Sequence, residues 1–178
     1  MRHHRILALS LCTLVAGCAD VNANAPQADE VPTPLAAPSS VVEARRLIRA
    51  LAGDPALSPR SVESILGQPA VKSEHPGTVS WTTTLPTGPF IEVELRFSDA
   101  LPDLRLVNLR VRDGVAISDG DFQGDPITPD AQRSVEANIP PEGAVSYQVP
   151  SGPHQTTWFE FSARSNRLLA AGVHRNTD

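Results

Sequence analysis

The feature that most constrains this chain is a strict alternation of apolar and charged or polar residues in two neighbouring stretches. The inward positions of the two stretches are Val79, Trp81, Thr83, Leu85, Ile91, Val93, Leu95 and Phe97. Glu92, Glu94 and Arg96 fill the alternate positions of the second stretch. Because successive side chains of a strand point to opposite faces, the pattern predicts antiparallel strands with one buried and one solvated face. A third strand is predicted over about residues 104–112.

Two helices are predicted before these strands. Ser40 opens a capping-box spacing and Gly53 supplies a stop, so the first helix is expected over about residues 40–52. Its apolar residues recur at helical spacing, with three arginines on the opposite side. The dipeptide Ser58-Pro59 places an N-cap before a proline and predicts the start of a second, shorter helix.

A similar order of signals follows the polar segment 113–127. Thr128-Pro129 predicts a short helix to about residue 139, and three extended stretches follow at 145–149, 157–163 and 168–175. The expected fold is therefore α+β, with helices packed on one face of an antiparallel β-meander sheet. One interpretation is a tandem duplication of a helix-plus-three-strand unit within the domain 39–178, with halves 39–117 and 127–178. The other interpretation is that any two meanders in one chain show such a similarity without a duplication.

The N-terminus has the pattern of an export signal. Arg2 and Arg5 precede an apolar run, residues 6–15, which is about half the roughly 20 residues that a membrane-spanning helix needs. Residues 1–17 are therefore predicted to be a cleaved signal peptide. Residues 18–38 follow as an Ala- and Pro-rich segment without aromatic residues, which predicts a disordered, extended tether.

The end of the signal carries the motif Val15-Ala16-Gly17-Cys18, which resembles the lipobox of bacterial lipoproteins. The resemblance implies that Cys18 becomes the mature N-terminus and carries the lipid that anchors the chain to a membrane. Several acyl chains give durable anchoring, whereas one is marginal. Ala19 after the cysteine implies the outer membrane, with the domain in the periplasm; the inner membrane and the cell surface remain alternatives. The other interpretation is an ordinary secretory signal in which Cys18 is incidental.

Charge and cysteine content narrow the function classes. The chain has 15 Lys and Arg against 20 Asp and Glu; residues 1–17 hold two of the arginines and no acid, so 13 bases and 20 acids remain after them, a net charge of −7. A surface for nucleic acid is not expected from this balance. The only cysteines are Cys12, in the signal, and Cys18, so the domain is expected to fold without a disulfide.

A looser resemblance concerns the passage from Ser58-Pro59 through Leu66-Gly67 to Pro69 and then Trp81. It is similar to the helix-to-strand passage of SmpA-type outer-membrane lipoproteins and to the helix-and-meander units of β-lactamase-inhibitor proteins. The resemblance implies a non-catalytic domain that binds another protein, and it carries over no binding residue.

The connector 119–130 has acids at spacings that approach a calcium-binding loop. The candidate ligands are Asp119, Asp121, Asp125 and Asp130, with Gly124 at the sixth position. Gln123 replaces a usual ligand and Asp130 replaces the usual bidentate glutamate, so an acidic connector without a metal is the expected interpretation. No cofactor and no metal site are predicted.

Catalytic patterns are missing from the sequence. No nucleophile elbow, Ser-x-x-Lys pair or phosphate loop occurs, and no cysteine nucleophile remains. His75 and His154 adjoin proline–glycine turns, and His174 stands alone; they could form a pair only if the two predicted halves packed face to face. The chain is therefore not expected to be an enzyme.

The two tryptophans suggest where a partner would bind. Trp81 is in phase with Val79 and Leu85, which places it in the core, whereas Trp158 is out of phase with Phe159 and Phe161. Trp158, with Tyr147 nearby, is therefore the predicted partner-binding pair. The expected function is a protein-binding module, an envelope assembly accessory or an inhibitor or immunity factor. The alternatives are a carrier of a small apolar or cell-wall ligand on the concave face of the sheet and, third, a hydrolase.

Overall fold

The computed structural model describes residues 38–98, 100, 104–136 and 143–176. Contacts between Cα atoms divide the chain into two units, Met1–Pro32 and Thr33–Asp178, and all the described residues belong to the second. The elements of that unit are α1 Pro38–Ala52, α2 Pro59–Leu66, β1 Val71–His75, β2 Thr78–Thr84, β3 Phe90–Ser98, β4 Leu104–Val111, a 3₁₀ turn at Asp119–Asp121, β5 Gln132–Glu136, β6 Ala144–Gly152, β7 Gln155–Ser162 and β8 Leu168–Asn176.

All eight strands belong to one antiparallel sheet with the order β1-β2-β3-β4-β8-β7-β6-β5. The sheet consists of two four-stranded meanders, β1–β4 and β5–β8, which meet where β4 pairs with β8. Val107 and Val173 face each other near the middle of that junction. Both meanders therefore share one continuous sheet, and β1 and β5 are its outermost described strands.

The expected α+β fold is wrong, because the described residues form mainly this single antiparallel sheet, with two short helices. The helix expected over 128–139 is absent from its described part: residues Gln132–Glu136 form β5 and pair with β6. The repeated helix-plus-three-strand unit is wrong for the same reason. Strand β1 was also missed. β5 carries one apolar residue, Val135, so pairing with β6 determines its conformation more than local sequence does.

The two helices near the start of the domain are confirmed. Helix α1 begins at Pro38, two residues before the predicted cap at Ser40. The capping box forms in α2 instead: the Ser58 hydroxyl accepts from the Ser61 amide at 3.2 Å, and the Ser61 hydroxyl accepts from the Ser58 amide at 2.9 Å. Gly67 ends α2 in the left-handed conformation, with φ of 64°. Neither helix has the length and apolar composition to span a membrane.

One face of the sheet, here called the core face, is covered by α1 and by the connector 112–131 between β4 and β5. Helix α1 contacts β7 and β8, and the connector buries Ile117, Phe122 and Ile127. The ring of Phe122 lies 5.2 Å from that of Phe159. The fully buried side chains of the sheet include Phe90, Val93, Leu95, Val107, Leu109, Phe159, Phe161, Ala171 and Val173.

The opposite face, here called the outer face, carries the alternate residues. One row of paired residues crosses six strands of this face: Thr82, Glu94, Asn108, Gly172, Trp158 and Gln148. Apart from Gly172, each member of the row is half-buried or exposed. A register shift between Phe90 and Glu92 turns Phe90 inward, so Ile91 is not the core residue that simple alternation predicted.

The predicted signal peptide 1–17, Cys18 and the tether up to residue 37 lie outside the described residues. Their assignment stays a prediction from the sequence.

Candidate functional site

Trp158 lies on the outer face of β7, opposite Gly172 of β8 and Gln148 of β6. A methyl group added at Gly172 would come within 2.6 Å of Cε2 and Cζ2 of the indole. The ring therefore lies directly against the β8 backbone, in space that a side chain at position 172 would occupy. This packing fixes the orientation of the ring and leaves it half-buried.

The rest of this face is mainly polar. Arg96 donates to Glu94 at 2.8 Å, and the Asn108 amide donates to the same carboxylate at 3.4 Å. Arg110 lies 3.8 Å from Glu92. The side chains on strands β3 and β4 thus neutralise one another, whereas the indole two strands away is a large aromatic surface among polar groups.

Next to Trp158 the charge is unbalanced. Glu160 lies two residues further along β7 on the same face, and Glu136 of β5 shares that face. Burial raises the pKa of the Glu160 carboxyl, and the charge of Glu136 raises it further. Within the described part of the chain neither carboxylate forms an ion pair. The outer face is therefore acidic from Glu160, beside Trp158, towards Glu136 at the end of β5.

Tyr147 does not join Trp158. It lies on the core face of β6, where it is 8% exposed, and its ring meets that of Phe161 edge-on at 5.9 Å. Its hydroxyl donates to Asp119 at 3.1 Å. The register pairs Tyr147 with Phe159 and Gln148 with Trp158, so the expected neighbours lie on opposite faces. Alternation along β6, with Val145 and Val149 inward, was the signal that could have placed Tyr147 in the core.

Trp81 lies on the core face, as its phase predicted, but it is half-buried and does not belong to the buried core. Its ring meets Phe97 edge-on at 5.0 Å, and the ammonium of Lys72 lies 5.6 Å from its centre. The two tryptophans therefore occupy opposite faces of the sheet.

The acids of the connector are held by different partners. Asp121 accepts from the amide and hydroxyl of Ser118 at 2.8 and 2.9 Å, and Asp119 accepts from Tyr147 and, at 2.7 Å, from Asn166. Asp125 pairs with Arg49. A hydrogen bond from Thr128 lowers the pKa of Asp130. Within the described ranges no group of three or more His, Cys, Asp or Glu side chains is placed to hold a metal ion.

Helix α1 fixes this connector through two arginines that we expected to face solvent. The guanidinium of Arg45 donates to the main-chain carbonyl of Asp121 at 2.9 Å, and that of Arg49 donates to the Asp125 carboxylate at 3.2 Å. The connector is thereby held against the helix. Sequence reasoning missed the contact, although the opposite charges of helix and connector were visible.

The three histidines of the domain do not converge. His75 lies at the end of β1, His154 in the turn between β6 and β7, and His174 on the outer face of β8. The meanders lie side by side in one sheet, so the face-to-face arrangement that would pair the histidines does not occur.

Two adjoining cavities lie where the C-terminal end of α1 meets the β6–β7 hairpin, and Ala52, Gly53 and Ser151 line both. The first has a volume of about 340 Å³ and the second about 250 Å³. The side-chain amide of Gln155 ties the hairpin to the helix, since it donates to the carbonyl of Ala52 at 2.7 Å. Nothing in the sequence pattern indicated these cavities.

Comparison with known proteins adds no family to this geometry: no protein-family model, no curated protein and no solved structure matches the chain. The resemblances to lipoproteins and to β-lactamase-inhibitor proteins stay predictions. The functional argument therefore rests on the surfaces described above.

Proposed function

We propose that this chain is a membrane-anchored periplasmic lipoprotein whose β-sheet domain binds a protein partner through the outer face around Trp158. The lipobox-like motif ending at Cys18 supports the anchor, and Ala19 supports the outer membrane. The acidic balance of the chain disfavours a nucleic-acid partner. The domain acts by binding, as an assembly accessory or as an inhibitor or immunity factor, and needs no cofactor.

The observation that carries the proposal is the position of Trp158. Its indole lies on a sheet face whose other side chains are mainly polar, and it is held rigidly by the backbone of Gly172. Tryptophan is enriched among the interface residues that contribute most of the binding energy. A rigid aromatic ring loses little conformational entropy on binding, so it can serve as an anchor for a partner's apolar pocket.

The charges beside Trp158 indicate the partner's chemistry. Glu160 and Glu136 present two carboxylates without counter-ions in the described part of the chain. A partner with lysine or arginine next to an apolar pocket would match both the indole and the carboxylates. Such complementarity favours fast association and selects against acidic surfaces.

The test is photo-crosslinking of the full chain in the cells that produce it. A photoreactive amino acid replaces Gln148, the exposed cross-strand neighbour of Trp158, and adducts are identified by mass spectrometry. We expect one dominant protein adduct, which Trp158→Ala removes. Trp81→Ala is the matched control, because it deletes the same side chain from the opposite face and should leave the adduct in place.

An adduct that persists in folded Trp158→Ala protein would sink the proposal, and circular dichroism of each variant establishes folding. The identity of the adduct separates an assembly factor from a target of inhibition. Cys18→Ser tests the anchor independently: radiolabelled palmitate should enter the unaltered chain and not the variant. Labelling of the variant would contradict lipidation at Cys18.

A further inference from the structure

The cavities at the C-terminal end of α1 differ in what lines them. The larger one has an apolar wall formed by Ile48, Ala52, Val149 and Pro150. The smaller one is lined by His154, Gln155 and Arg175 as well as by residues of the turn after α1. Because the two adjoin, they form one groove with an apolar end and a basic end. The larger cavity alone reaches the lower limit of small-molecule sites, roughly 300 Å³.

The basic end contains a guanidinium that lacks a counter-ion. The Nε of Arg175 is buried and has no hydrogen-bond partner, and no ion pair joins this side chain to a carboxylate among the described residues. Burying a charged donor without a partner is costly, so native proteins nearly always supply one. Here a ligand that accepts hydrogen bonds from Arg175 would enter through the open side of the groove.

Among the described residues, the neighbouring groups do not neutralise Arg175. Asp54, in the turn beside the groove, accepts from the amides of Ala56 and Leu57 at 2.9 and 3.1 Å. Arg105 is the direct cross-strand neighbour of Arg175 in β4, so that neighbour carries a charge of the same sign. The C-terminal end of α1 contributes only a partial negative charge. An anion would therefore gain a charge-assisted contact at this position.

The apolar end holds a second polar atom without a partner. Thr157 is 2% exposed and lines the larger cavity, and its hydroxyl makes no hydrogen bond. At the rim, Arg49 is already paired with Asp125, so this end has no spare charge. The groove thus offers an apolar channel with the unpaired hydroxyl of Thr157 in its wall and a guanidinium at its far end.

We propose that this groove binds a small organic anion, with its carboxylate or phosphate group on Arg175 and a short apolar body between α1 and the β6–β7 hairpin. The planar guanidinium fits either group through two parallel hydrogen bonds. This site is on the core-face side of the sheet and shares no residue with the surface around Trp158, so either proposal can fail without the other.

The test is thermal unfolding of the purified full chain in detergent at increasing concentrations of four probes: hexanoate, hexyl phosphate, acetate and hexan-1-ol. A ligand that binds only the folded state stabilises it by RT ln(1 + [L]/Kd), so Tm rises with ligand concentration and the dependence gives Kd. We expect a concentration-dependent rise with hexanoate or hexyl phosphate, and the stronger of the two identifies the head group. Acetate lacks the apolar body and hexan-1-ol lacks the charge, so both should bind about tenfold more weakly or worse.

Two variants locate the site. Arg175→Gln should weaken hexanoate and hexyl phosphate about tenfold; Arg60→Gln, an exposed arginine of α2, is the matched control and should leave both unchanged. Ser151→Trp fills the groove from its exposed rim without altering the core and should abolish binding, which keeps the test open if Arg175→Gln fails to fold. Equal shifts with hexan-1-ol and hexanoate, or unchanged binding in Arg175→Gln or in Ser151→Trp, would overturn the proposal.

Discussion

The two faces of the sheet are built from alternate residues of the same strands, yet they carry different kinds of chemistry. On the core face Val107, Leu109 and Phe159 are fully buried under α1 and the connector. On the outer face Asn108 and Trp158, their chain neighbours, remain partly exposed. The contrast teaches that a shift of one position along a strand separates a residue that stabilises the fold from one that is available to a partner.

The largest effect is expected on the core face. Phe159→Ala removes a ring that is 0% exposed and lies 5.2 Å from Phe122, which comes from the connector. We expect a loss of about 3–5 kcal/mol in the free energy of unfolding, because both the buried area and the packing with Phe122 are lost. Urea denaturation measures the change. A loss below about 1 kcal/mol would mean that the connector does not depend on this contact.

A smaller loss is expected where the outer face is tightly packed. Gly172→Ala brings a methyl group against the Val107 carbonyl and within 2.6 Å of the Trp158 ring. We expect a loss of about 1–3 kcal/mol from this overpacking. In a Trp158→Ala background the cost should fall, since only the backbone contact remains, and a double-mutant cycle reports the difference.

Gly120→Ala is the matched control for that cycle. Its added methyl group would lie 3.6 Å from the Ser118 hydroxyl, an ordinary contact, so stability should stay within about 0.5 kcal/mol. Equal costs of Gly172→Ala with and without Trp158 would show that the indole does not press on the glycine.

The smallest effect is electrostatic and depends on pH. Burial and Glu136 raise the pKa of Glu160 above its ordinary value of 4.5. The folded chain then holds the proton to higher pH than the unfolded chain, so this contribution to stability is complete below pH 4.5 and is lost as pH rises through the raised pKa. Glu160→Gln should therefore be slightly more stable than the unaltered chain at pH 7, by up to about 0.5 kcal/mol.

Below pH 4 that advantage of Glu160→Gln should vanish, because the protonated carboxyl of Glu160 is then as uncharged as the amide that replaces it. Glu94→Gln is the control on the same face: it breaks the ion pair with Arg96 and should not gain stability at pH 7. A stabilising Glu94→Gln, or a Glu160→Gln effect independent of pH, would contradict the assignment of an unpaired acidic environment around Trp158.

Period-two alternation predicted the strands that bury one face, which are β2, β3, β4, β6, β7 and β8. It missed β1 and β5 because the edge strands have little to bury: all five residues of β5 are exposed, and Val71 of β1 is 73% exposed. Such strands form because a neighbouring strand offers hydrogen bonds. The residues of that neighbouring strand lie elsewhere in the chain, so the edge strand's own sequence does not reveal the pairing. The same dependence on distant partners explains why the described residues 128–136 do not form the expected helix.

For the candidate site, the alternation of residues along one strand was sufficient to place Trp158. The expected nearness of Tyr147 to Trp158 was not a sufficient reason to include Tyr147. Being out of phase with Phe159 placed Trp158 on the outer face correctly. Tyr147 was included in the predicted site because it was expected to lie near Trp158. The register between β6 and β7 places it on the core face instead. The groove beside Arg175 depends on how α1 meets a hairpin about 100 residues later, as the bond between Gln155 and the Ala52 carbonyl shows with a separation of 103. No local sequence pattern predicts this contact between α1 and the β6–β7 hairpin.

The last of the described strands, β8, lies at the centre of the sheet, between β4 and β7. Val107 can pair with Val173 only after the whole second meander has been synthesised, because Val173 lies in β8. Closing so long a segment is slow compared with forming a hairpin. The two meanders therefore stay unjoined until β8 is available to pair with β4. Loss of β8 would leave two open half-sheets rather than a slightly shortened sheet.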